Sequence, residues 1–68
     1  MAAAFQVGDR VRVAVPWLTG CKPGDTGTVT LVAPISGGGV MYRVQMDAPC
    51  QAGMVICYPN EVELAPES

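Results

Sequence analysis

Wherever apolar and polar positions show a period along this chain, the period is two. In Asp9-Arg-Val-Arg-Val-Ala-Val15, Val11, Val13 and Val15 fall on one side and Arg10, Arg12 and Ala14 on the other. Such alternation predicts a half-buried β-strand. Pro16 cannot donate a ladder bond and ends it. Trp17 to Asp25 reads as a long loop closed by a Pro23-Gly24 turn, in which proline pre-sets φ and glycine takes the positive value. A second strand is predicted over Thr26–Ala33, with Val29 and Leu31 facing one side and Gly27 marking a bulge or a close backbone approach.

Pro34 to Gly39 is a glycine-rich hairpin connection, and Val40–Met46 a third strand with Val40, Tyr42, Val44 and Met46 on one face. Asp47 to Gly53 turns again. Met54-Val-Ile-Cys57 is apolar without alternation, which predicts a fourth strand covered on both faces. Tyr58-Pro-Asn60 reads as a single helical turn, and Glu61–Leu64 as a short fifth strand with Val62 and Leu64 inward. Six prolines and eight glycines leave no interval for an amphipathic helix. The expectation is an all-β fold: a single small closed barrel of about five antiparallel strands over residues 6–65. A flexible segment 1–5 precedes it and a tail 66–68 follows. Closure would remove the exposed edges of an open sheet.

Length makes this one domain. A chain of 68 residues buries only about 60% of the surface its unfolded form exposes, and is too short for a Rossmann unit or an α/β barrel. Charge narrows the partners. Arg10, Arg12, Lys22 and Arg43 are the only cations, against six acidic residues, for a net charge of −2. So few cations give a weak field for phosphates, which disfavours nucleic acid and membrane surfaces. Charged residues are only 15% of the chain, below the roughly 25% usual in soluble domains, so part of the apolar surface is expected to be covered by another chain.

Chemistry is sparse. There is no histidine, hence neither the commonest general base nor the commonest metal ligand. Cys21, Cys50 and Cys57, spaced by 29 and 7 residues, fit no zinc pattern and form an odd set for a disulfide framework. Reduced thiols and a cytoplasmic location are expected. Met1-Ala-Ala-Ala-Phe5 has no basic start, and Gln6 and Asp9 cut its apolar run short, so no secretory signal is read there. No apolar run approaches the roughly 18 residues of a membrane span. Ser36 and Ser68 have no base to activate them, Cys21 beside Lys22 reads as an ordinary loop thiol, and Gly37-Gly-Gly39 lacks the residues of a phosphate loop. Asp9, Asp25 and Asp47 are assigned to turns. No catalytic residue, metal or cofactor is expected.

Val7-Gly-Asp-Arg-Val-Arg-Val13, Gly24-Asp-Thr-Gly-Thr-Val29, Tyr42-Arg-Val44 and the ending Glu61-Val-Glu-Leu64 together resemble the SH3-like barrel superfamily over about residues 6–65. The layout is similar to the small barrel subunit of photosystem I, the variable chain of ferredoxin–thioredoxin reductase and the barrel of the nitrile hydratase β chain. Those barrels are accessory parts docked on larger enzymes. KOW-type barrels share the strand–glycine–strand element but are usually basic. The type B dihydrofolate reductases, homotetramers with a central pore, share the opening seen here as Gly8 to Arg12. Their Val-Gln-Ile-Tyr-Pro segment lies on Val55 to Pro59, where Tyr58 matches. Ile56 replaces their ligand-binding glutamine, Cys57 their isoleucine and Val13 a lysine, which removes polar contacts to folate and the nicotinamide cofactor.

The resemblance implies that the long first loop contacts partners, which singles out Trp17 and Leu18. Tyr58 would complete the same patch or plug the barrel, and Arg10, Arg12 and Arg43 would meet an acidic partner or form a merely solvated face. The expected function is a non-catalytic interaction module, an accessory subunit or a self-associating protein. The alternatives are a homotetrameric pore binding a small ligand around Val55, Ile56, Cys57 and Tyr58, and a weak KOW-type nucleic-acid binder.

Overall fold

Valines at every second position of the opening run make its β1 strand, Arg10–Val13, in the computed structural model, which describes residues 5–18, 20–48 and 50–65. The others are β2 (Thr26–Pro34), β3 (Val40–Met46), β4 (Met54–Cys57) and β5 (Val62–Leu64). Every pairing is antiparallel, and one sheet runs β4-β3-β2-β1-β5. The described residues contain no helix. Over the described residues the chain is therefore all-β with five antiparallel strands, and β3 and β4 have the predicted bounds.

The inner face follows the alternation. Val11 and Val13 of β1, Val29 of β2 and Tyr42 and Val44 of β3 are buried, while Arg10 and Arg43 face out. The sheet curls, because Cys57 from one edge strand and Val62 from the other join the same core. Phe5 joins it too: 5% exposed, it packs edge-on against Tyr42 with ring centroids 5.2 Å apart. The predicted flexible segment 1–5 is corrected at that residue. Residues 1–4 and the predicted tail 66–68 lie outside the described residues. Gly24 takes φ +97° in the predicted turn, and its N–H donates to the Val13 carbonyl at 2.9 Å, latching the loop onto β1.

Five expectations are corrected. Among the described residues no ladder joins β4 to β5, so these strands are edges of the sheet and the predicted closure is not made. They have only four and three residues, and short edges limit unwanted pairing. A β-bulge lies between Val29 and Leu31: Val29 pairs with Val44, but Leu31 pairs with Arg43. The extra residue, Thr30, resets the alternation, so Leu31 turns out to solvent and Val32 packs on the core. Gly27 is a separate feature, a close approach, since a Cβ there would sit 2.6 Å from the Gln45 carbonyl oxygen.

β4 is covered on one face only. Val55 is half-buried and Cys57 buried, whereas Met54 and Ile56 are exposed, because an antiparallel edge strand needs cover on only one side. Leu64 lies opposite buried Val11, yet at the end of the edge strand it is 58% exposed. Tyr58 to Glu61 forms one turn, closed by the Glu61 N–H on the Tyr58 carbonyl at 2.9 Å, and not a helix.

Candidate interaction surface

Residues directly opposite one another in an antiparallel pair share a face. The register therefore sets Ile56 beside Arg43 and Met54 beside Gln45, with Leu31 across from Arg43 on the other side. An exposed strip thus crosses β4, β3 and β2, apolar at Met54, Ile56 and Leu31 with Arg43 between. The bulge builds this strip by sending Leu31 outward, and it also holds Arg43. The Thr30 hydroxyl donates to the Arg43 carbonyl at 3.1 Å and accepts from Arg43 Nε at 3.4 Å.

The β1–β5 side of the same face is charged and internally paired. Arg10 forms a two-pronged ion pair with Asp47, and its Nη1 also donates to the Thr28 hydroxyl at 2.7 Å. Thr26 adds a hydroxyl to Asp47 at 3.1 Å. The hydrogen bond from Arg10 holds the Asp47 carboxyl below the usual carboxylate range, and the same bond raises the Arg10 guanidinium. Arg12 donates through Nε to Glu63 at 2.8 Å, its register partner on β5. Of the three arginines singled out from the sequence, two are thus engaged within the chain and Arg43 lies in the apolar strip. Asp9 and Asp25 serve their turns by accepting the Gln6 and Lys22 N–H groups, whereas the Asp47 side chain is committed to Arg10.

Trp17 and Tyr58 are linked through Glu61. Trp17 is 65% exposed and its indole N–H donates to Glu61 Oε2 at 3.0 Å. Glu61 Oε1 accepts the Tyr58 N–H at 2.9 Å, and the Glu61 carbonyl accepts the Ala14 N–H at 2.9 Å. Glu61 was not among the residues singled out. Its signal is the spacing Tyr58-x-x-Glu61, in which a glutamate reaches back to the first N–H of a turn, as in a capping box. Leu18 is half-buried and packs on the core, apart from exposed Trp17. Val55, Ile56, Cys57 and Tyr58 alternate in and out, so a ligand on one face of this strand meets Ile56 and Tyr58, or Val55 and Cys57, but not all four.

Among the described residues no three metal-ligating side chains come together, and no helix is long and apolar enough to cross a membrane. No known family matches the chain, and neither a curated protein nor a solved structure matches it.

Proposed function

We propose that this chain is a non-catalytic interaction module of SH3-like form that docks on another protein chain. Its contact surface is the outward side of β4, with Trp17 beside it. One observation carries this reading. Met54, Ile56 and Tyr58, alternate positions of an edge strand and its extension, are all exposed, at 47%, 44% and 44%. An exposed apolar strip marks a contact site, and tryptophan and tyrosine are the commonest anchors in such sites. The sheet order and the sequence resemblance to SH3-like barrels support the form, and the paired Arg10 and Arg12 weigh against a nucleic-acid reading.

The tetrameric pore is the second reading, favoured by the free edge at β4, where the segment resembling the pore-lining residues lies. Native mass spectrometry of the untagged protein from its host extract tests both. A hetero-complex or an oligomer that Ile56→Lys dissolves is the expected result. A homotetramer binding one folate or nicotinamide ligand per several chains would select the pore. A monomer in both wild type and variant, or a complex that survives Ile56→Lys, would overturn the proposed surface. An affinity for nucleic acid that falls steeply with salt would replace it with the third reading.

A further inference from the structure

The β1–β2 loop and the β3–β4 loop meet at one end of the sheet, far apart in sequence but touching in space. A Cβ on Gly20 would lie 3.1 Å from the Ala52 Cβ, so the Ala52 methyl packs against the Gly20 backbone and the two loops touch. Beside that contact Cys50 Sγ lies 3.9 Å from Cys21 Sγ and 3.5 Å from the Gly20 carbonyl oxygen. The two sulfurs share an open cleft of about 380 Å³ with Lys22, Asp25 and Gln51. Both thiols are partly exposed, while Cys57 is fully buried in the core.

We propose that Cys21 and Cys50 form a dithiol site that closes to an intramolecular disulfide by exchange with a small-molecule disulfide entering this cleft. A bonded pair lies about 2.05 Å apart, so each sulfur moves by only about 1 Å. Either thiol, on losing its proton, attacks one sulfur of the small disulfide, breaks its S–S bond and releases one thiolate. The second cysteine then loses its proton and displaces the remaining small thiol, forming the Cys21–Cys50 bond. The protein loses two electrons and two protons, and the small disulfide gains both as two thiols. Partial exposure admits the reagent at this pair and burial denies it at Cys57. The bond would tie the loop that carries Trp17 to the loop that leads into β4.

The full chain, incubated folded with oxidised glutathione and then alkylated under denaturing conditions, tests this by intact mass and peptide mapping. The expected product carries one alkyl group, on Cys57, and apart from it is two hydrogens lighter than the reduced chain, with Cys21 and Cys50 linked. The reduced mass returns on adding a dithiol reductant. Cys50→Ser should instead hold one glutathione on Cys21, Cys21→Ser one on Cys50, and Cys57→Ser should still form the internal bond. Stable mixed disulfides on wild-type Cys21 or Cys50, a bond involving Cys57, or three free thiols would each overturn the proposal.

Discussion

The two sides of the sheet's outer face begin from the same alternation and finish it differently. On the β1–β5 side each outward arginine meets an acid, Arg10 with Asp47 and Arg12 with Glu63. On the β4 side the outward positions are Met54 and Ile56, with Leu31 delivered by the bulge and Arg43 as the only cation among them. Exposed ion pairs contribute little stability but are costly to strip of water, so the charged side resists being covered. The apolar side gains roughly 25 cal/mol for each Å² removed from water. The difference separates a surface built to stay wet from one suited to contact.

The largest expected effect removes what both sides share. Gly27→Ala drives a Cβ to 2.6 Å from the Gln45 carbonyl oxygen and 2.7 Å from Val44, where β2 pairs with β3 opposite Met46. It should cost about 3 kcal/mol by urea unfolding, much of the stability of so small a domain. A loss well under 1 kcal/mol would mean that the strands can part at this point.

Alkali and acid should then loosen the two sides separately. Burial, reinforced by the negative charge of Glu61, pushes the Cys57 thiol beneath β4 up to about 11. Burial also raises Cys21 to about 11, with its contact to Cys50 next and the charges of Cys50, Asp25 and Cys57 adding. Both raised values favour the protonated thiol in the folded chain. Their stabilisation is complete below the unfolded value of 9.0 and is lost as pH rises from there through about 11. Asp47 runs the other way, because its lowered value makes a contribution that is present above 3.8 and lost as pH falls through its folded value. Unfolding midpoints across pH should decline at both ends, with Cys57→Ala flattening the alkaline limb and Asp47→Asn the acid one.

Ile56→Lys should weaken association at least tenfold, about 1.4 kcal/mol, while stability stays within about 0.5 kcal/mol, read by sedimentation and by denaturant titration. Arg12→Ala should lower stability by less than about 1 kcal/mol and leave association unchanged. The reverse ranking of these two variants on association would exchange the roles of the two sides. Tyr42→Phe acts in the opposite direction. Among the described residues nothing hydrogen-bonds the buried Tyr42 hydroxyl, so its removal should raise stability by about 1 kcal/mol.

The strands were legible because valines alternate and glycine and proline mark their ends, as in β3, whose bounds match the alternating run from Val40 to Met46. The bulge was not, because threonine is an ordinary strand residue and Thr30 carries no local mark of an extra position. Missing it put Leu31 on the wrong face. A continuous apolar run such as Met54 to Cys57 fits both a covered strand and an edge strand with a contact face, and only its place in the sheet distinguishes them. Trp17 and Tyr58 could be nominated by type, but the Glu61 bridge between them depends on how the chain ends approach. The Cys21–Cys50 proximity spans 29 residues and is a product of topology alone.

Backbone hydrogen exchange of the two edge strands, compared between the assembled and the dilute dissociated protein, tests the contact assignment most directly. The β4 amides from Met54 to Cys57 should gain protection on assembly, while those of β5 from Val62 to Leu64 stay as they are. Protection arising at β5 with β4 unchanged would contradict the assignment.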